Sequence, residues 1–537
     1  MGHRYAADRG GGMSVISSPP SSSSPDRIPA DIETDPCPAI PSELRKFLSR
    51  PGPQSLLIRG PPGCGKTTLA LSLLDGFSGT RVLVTNRVTK AEIQADFPWL
   101  DRGGPDRVRI VDGAFASQGV ARAAEAVGAV TGFLGATGND DLTRFLWLPV
   151  SLQEAYASLD PLRPAMVVID SWDSLVEEFV AKAATERVGL PDRQDVERLL
   201  LAYMRRSAVT LVIVLERDVQ SQLDYLVSGV VVAHKQSVEG RLERTLSLAK
   251  LRGVRIRTAG YPYTLEGAHF RSIDPFRHET IRFNRRRTPA LRGEPSPQLL
   301  PGQIWPGNRD FAEEFGVFEG GTTTVVECDP AIAFPVSALL VEAPVALTLA
   351  AGGRVLIIPP PGTQPGDVYQ PYRAIFPAEK LAALLRIFSV AGTEGVTGEV
   401  QACVLALHRG SDEAPTDPIF HHAFEFIRTV ETEGVSNLIV RTTSGQRALA
   451  QLLSLPVTPE NFAQVTAAYV ANLAAHQIVI GNIGDRLLEA LNDLGSLRLQ
   501  LRAREGRYFL NGIRPFTSSF ALAECDDISP YDLIRMV

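Results

Sequence analysis

The stretch Ser55-Leu56-Leu57-Ile58-Arg59-Gly60-Pro61-Pro62-Gly63-Cys64-Gly65-Lys66-Thr67-Thr68 decides how the chain is read. Its first five residues form a short apolar run suited to a buried strand, and Gly60 to Thr67 fit the pattern G-x-x-x-x-G-K-[ST]. Glycines at Gly60, Gly63 and Gly65 let the backbone turn its amides toward an anion. Lys66 brings a point charge to the outer phosphates of a triphosphate, and the Thr67 hydroxyl is suited to ligate Mg²⁺. A helix predicted over 67–74 places its positive dipole end at the same spot. Strand, glycine loop and helix in that order predict an ATP-binding P-loop running from Gly60 to Thr68.

About a hundred residues further on, Ala165-Met166-Val167-Val168-Ile169-Asp170-Ser171 reads as a second strand of the same site. An apolar run ending in Asp can hold the metal's water shell from across the sheet. Thr67 and Asp170 are thus the expected Mg²⁺ residues. Lys66 and Asp170 are the expected catalytic ones.

Outward from these motifs, residues 1–41 read as a disordered Ser/Pro-rich tail, and 42–275 as the ATP-binding domain. Predicted strands over 55–59, 81–85, 107–111, 165–170, 209–216 and 229–234 alternate with helical patterns, which implies a parallel sheet covered on both faces. Residues 276–306 form an Arg-rich and Pro-rich connector containing Arg282, Arg285, Arg286 and Arg287. Such a run is either a solvated linker or a surface for phosphates or an acidic partner.

Residues 307–537 repeat the order of the first half. A strand over 323–328 precedes a helix over 336–351 and a strand over 353–358, and a gapless alignment sets Pro335 where Lys66 stands. Proline has neither charge nor N–H, so this second loop lacks the means to cradle a triphosphate. The strand over 437–442 likewise lacks an acidic end. The fold class expected is α/β, with two RecA-like P-loop domains in tandem, the second degenerate.

Composition narrows the rest. Five cysteines without a C-x-x-C pair argue against a zinc site or a disulfide framework. The net charge of −6 is mild. No signal sequence precedes the tail and no apolar run approaches a membrane span, so a cytoplasmic protein without membrane contact is expected.

Glu243-Arg244-Thr245-Leu246-Ser247-Leu248-Ala249-Lys250-Leu251-Arg252-Gly253, following Tyr225-Leu226-Val227-Ser228-Gly229, resembles the closing hairpin of RecA-like ATPases of the KaiC type. The resemblance implies that Lys250 and Arg252 reach the γ-phosphate of a neighbouring subunit, and that the chain forms rings or stacked homo-oligomers. Such ATPases carry a water-activating carboxylate after the next strand, whereas here that strand ends Thr85-Asn86-Arg87. Asn86 orients a water without accepting its proton, so hydrolysis is expected to be slow at most. Glu92 is the nearest substitute, though its place on a helix reads more simply as a solvated face.

This layout, with Phe97-Pro98-Trp99-Leu100 and the arginine-rich midsection, is most similar to the gas-vesicle regulator GvpD and its archaeal-type P-loop relatives. That resemblance implies a nucleotide-dependent switch acting on a partner protein through the P-loop and the basic clusters. A DNA-acting ATPase of recombination or repair is the main alternative. An oligomer using ATP as glue between subunits is the third.

Overall fold

The computed structural model describes residues 40–537 except 104–107, 114–149, 160–162, 178–196, 199–200, 202–208, 277–298, 390–395, 397, 407–424, 429–434, 453–455, 474 and 524–530. Nearly all of the tail, and Arg282 with Arg285–Arg287 of the connector, lie outside the described residues. The connector's last residues belong to structure: Gln303–Ile304 (β10) pair antiparallel with Phe318–Glu319 (β11).

The first domain opens on helix α1 (Ser42–Leu48) and holds β1 (Ser55–Arg59), β2 (Thr80–Thr85), β3 (Arg109–Asp112), β4 (Ala165–Asp170), β5 (Val209–Val214), β6 (Gly229–Val238), β7 (Arg241–Leu251), β8 (Gly260–Thr264) and β9 (Arg271–Ser272). They form one sheet in the order β3-β2-β4-β5-β1-β6-β7-β8-β9. The six strands from β3 to β6 run parallel, and β6 to β9 form an antiparallel meander. Side chains alternate across β1: Leu56 and Ile58 enter one core with Leu69 and Leu71 of helix α2 (Lys66–Asp75), and Leu57 enters another with Leu152 and Tyr156. Burial on both faces is why these strands read as unbroken apolar runs.

The second domain contains β12 (Thr323–Cys328), β13 (Val355–Ile358), β14 (Leu385–Ser389), β15 (Val404–Ala406), β16 (Leu438–Thr442), β17 (His476–Asn482), β18 (Gly495–Arg504), β19 (Arg507–Arg514), β20 (Ser519–Ala523) and β21 (Asp532–Met536). Their order is β15-β14-β13-β16-β17-β12-β18-β19-β20-β21. Apart from the extra edge strand β15, this reproduces the first sheet strand for strand, β12 standing for β1 and β18–β19 for β6–β7. The tandem repeat read from sequence is thus a repeat of topology.

One expectation changes. The helix Phe334–Ala351 is long and apolar enough to cross a membrane, with mean hydropathy 1.7. Ser337, Glu342 and Thr348 interrupt its apolar run in the sequence. In the fold it is 61% buried, with Val336, Leu340 and Val345 in the domain core, the setting of a core helix rather than a span.

The two sheets meet through their hairpins. Each hairpin turns on the same three residues, Glu239-Gly240-Arg241 and Glu505-Gly506-Arg507, with both glutamates and both glycines at positive φ. Each arginine is then buried in the opposite domain. Arg241 donates to Thr517 O (2.9 Å) and Gly512 O (2.6 Å), and Arg507 donates to Ile273 O (2.7 Å). Arg502 pairs with Glu239 at 2.7 Å, and Arg504 pairs with Glu243. The matching turns make the clasp reciprocal, each domain sending one arginine into the other.

Candidate functional site

Parallel strands deliver their following loops to one edge of the sheet, and the residues singled out around β1 and β4 meet there. Gly60 leaves β1 at φ +151°, and Gly63 and Gly65 adopt φ +72° and +81°. A Cβ on Gly60 would stand 2.2 Å from Ala233 O. Only glycine lets the loop lie so close against β6. From beneath, the buried Tyr263 hydroxyl donates to Cys64 O. Burial raises the Cys64 thiol's pKa, so it stays protonated in the loop.

Lys66 opens α2, and its ammonium donates to Gly60 O (2.7 Å) and Pro61 O (3.0 Å), folded onto its own loop. Thr67 donates to Asp170 Oδ2 at 2.5 Å. Thr68 is buried on the first turn of α2. Burial raises the Asp170 carboxyl, against the Thr67 hydrogen bond and the charges of Lys66 and Arg87. The residues fit a nucleotide and its metal: positive-φ glycines, a lysine that among the described residues is bound only to loop carbonyls, and a hydroxyl touching a carboxylate. A cavity of about 270 Å³ adjoins Thr67 and Asp170, walled by Leu83, Thr85, Arg87 and Ile93.

Three further residues at this edge belong to no motif of the sequence. Glu216 follows β5 and accepts from Ser171 Oγ (2.5 Å) and Arg87 Nη1 (2.6 Å), so a carboxylate does stand beside Asp170. Its only trace in the sequence is that it ends the apolar run 209–216. Arg87 lay in the Thr85-Asn86-Arg87 string. Lys235, on the exposed outer part of β6, comes from no motif. Its Nζ lies 3.3 Å from where a Cβ on Gly63 would be, and among the described residues it has no hydrogen-bond or ion-pair partner.

Other candidates find plainer roles. Glu92 closes a capping box, accepting from Thr89 N at 2.7 Å, so it serves the helix Lys90–Asp96. Asn86 packs under Gly113, whose Cβ would stand 2.3 Å from Asn86 Oδ1. Lys250 and Arg252 sit at the opposite edge: Leu251 pairs with Gly229, which pairs with Leu56 near the start of β1. Lys250 Nζ donates to the carbonyls of Asp224 (2.8 Å), Tyr225 (3.3 Å) and Val227 (2.8 Å). Neither residue approaches the P-loop of its own chain. In the second domain Pro335 lies in the first turn of its helix, and β16 ends in buried Arg441 and Thr442.

Comparison with known proteins fits this geometry. Residues 152–249 match the family described as GvpD gas vesicle protein, P-loop domain. Protein GvpD2 of Halobacterium salinarum is 30% identical over 239 residues, 44% of this chain and 44% of that protein. Protein GvpD1 of the same organism is 31% identical over 245 residues, 45% of this chain and 42% of that protein. The chain therefore spans less than half the length of the curated relatives it matches. The matched segment includes Asp170, Glu216 and Lys235. A P-loop domain implies nucleotide binding, usually with Mg²⁺. Residues 152–249 of this chain are thus similar to the P-loop domain of the GvpD family.

Proposed function

We propose that the chain is an ATP-dependent regulatory switch in gas-vesicle control, binding Mg²⁺–ATP in its first domain and acting on a partner protein. The observation that carries this is the continuity between phosphate loop and second domain. Gly60 lies against Ala233 and Gly63 lies beside Lys235, both on β6. The same hairpin, four residues beyond Lys235, holds the second domain through Glu239 and Arg241. A shift of the loop on nucleotide binding has a short, continuous route along β6 to the other half of the molecule.

In this reading Lys66 and the loop amides hold the β and γ phosphates, while Thr67 and Asp170 hold the metal and its water shell. Turnover is slow because Asn86 is no base and Glu216 is neutralised by Arg87. The Arg-rich connector and the second domain supply the partner's docking surface. Self-association belongs to the same proposal. Lys250 and Arg252 lie far from their own loop and serve only a neighbour's nucleotide, for which Lys250 must leave three carbonyls.

The test is equilibrium binding of a non-hydrolysable ATP analogue beside ATP turnover, with and without DNA. The proposal expects binding lost in Lys66→Ala and turnover near background. Brisk DNA-stimulated turnover would instead place the chain among the DNA-acting ATPases.

A further inference from the structure

The second domain keeps a cavity where the first keeps its metal pocket. In the first domain the pocket lies between α2, β2, β4 and the helix Lys90–Asp96. In the second, a cavity of about 250 Å³ lies between the corresponding elements: the helix Phe334–Ala351, β13, β16 and the helix Pro365–Arg373. The elements correspond, but the chemistry is reversed. Val341, Ile357 and Val440 make its walls apolar. Its charged groups are Glu342 and, at the exposed rim, Asp367, and none of the lining residues is basic. A phosphate entering here would meet two carboxylates and no cation.

Glu342 is the telling residue. It projects from a core helix into this cavity, and among the described residues no hydrogen-bond donor or cation satisfies it. Burial alone pushes its carboxyl up to about 7. The Tyr372 phenol, buried in the same wall, is raised as well, by burial and by the nearby carboxylate. A half-buried carboxylate against an apolar wall, without a partner, is costly, and an arriving cation relieves that cost while the wall binds the rest of the ligand. For scale, a cavity of about 150 Å³ holds a benzene ring.

We propose that the second domain binds a small organic ammonium ion, its charged head on Glu342 and its apolar body against Val341, Ile357 and Val440. The degenerate domain is then a sensor of a second ligand rather than an inert copy. Nothing in this depends on ATP binding in the first domain.

The experiment titrates the full chain calorimetrically with three probes of one shape: benzylamine, benzyl alcohol and benzoate. Benzylamine is expected to bind with Kd below about 1 mM, benzyl alcohol at least about tenfold more weakly, and benzoate not at all. Glu342→Gln should weaken benzylamine at least about tenfold while leaving benzyl alcohol unchanged, which also shows that the cavity is intact. Ala338→Leu, which narrows the cavity without touching the carboxyl, should weaken both. Failure of benzylamine to bind, equal binding of benzoate, or undiminished amine binding by Glu342→Gln would overturn the proposal.

Discussion

Replacing Glu342 by Gln is expected to stabilise the second domain at pH 8 and to leave its stability unchanged at pH 4. The folded chain holds this proton up to about pH 7, whereas an ordinary glutamate releases it near 4.5. As pH rises from 4.5 to 7 the unfolded chain ionises first, so stability is lost across that window and is intact below it. The gap is worth about 3 kcal/mol, and water reaching the carboxyl through the cavity mouth brings it nearer to 2. A second group runs the other way. His476 is buried, stacked on Phe318 at 4.7 Å, with Nδ1 3.0 Å from Glu319 O and Nε2 3.2 Å from Thr324 Oγ1. Burial lowers its pKa to about 4, from an ordinary 6.5. Its stabilising contribution is therefore intact above pH 6.5 and lost as pH falls toward 4, by about 3 kcal/mol. In the parent protein the two groups nearly cancel between pH 4 and 8. Glu342→Gln removes one side of the balance and should expose a steep acid loss. Urea unfolding at pH 4, 6 and 8, followed by circular dichroism, measures this. A variant whose stability matches the parent within about 0.5 kcal/mol at pH 8 would refute the argument.

Three further outcomes follow from the first domain and its contact with the second. Lys235→Met should weaken ATP about tenfold in a competition assay, with Lys235→Arg close to the parent and Lys46→Met as a control for net charge. Arg87→Ala should raise ATP turnover roughly tenfold or more by releasing Glu216, and adding Glu216→Gln should return it to the parent rate in a phosphate-release assay. Arg241→Ala leaves the carbonyls of Gly512 and Thr517 without their buried donor. It should cost about 2–4 kcal/mol in thermal or urea unfolding.

The sequence was legible where local chemistry alone specifies structure. β1, β4 and β12 occupy the predicted residues because each is a short run built on aliphatic or β-branched residues and buried on both faces. The loop from Gly60 to Thr67 needs its glycines for backbone reasons that no neighbour can override. Legibility stops where tertiary contacts decide. The apolar pattern of β6 extends only to His234, because Lys235, Gln236 and Ser237 are exposed and polar, yet the strand continues to Val238 by pairing with β7. Glu216 and Arg87 are far apart in sequence, and nothing local joins them across the sheet edge. Lys250 matched a motif, yet its ammonium is occupied by three carbonyls that no pattern reveals.

The paired Glu-Gly-Arg turns carry a consequence for gene dosage. Separately encoded subunits can assemble in any ratio of members with a phosphate loop to members without one, and that ratio drifts with expression. Here both kinds are joined in one polypeptide and clasped by Arg241 and Arg507. Every nucleotide site is thus made with its own companion domain, at one to one, and no change in expression can dilute it.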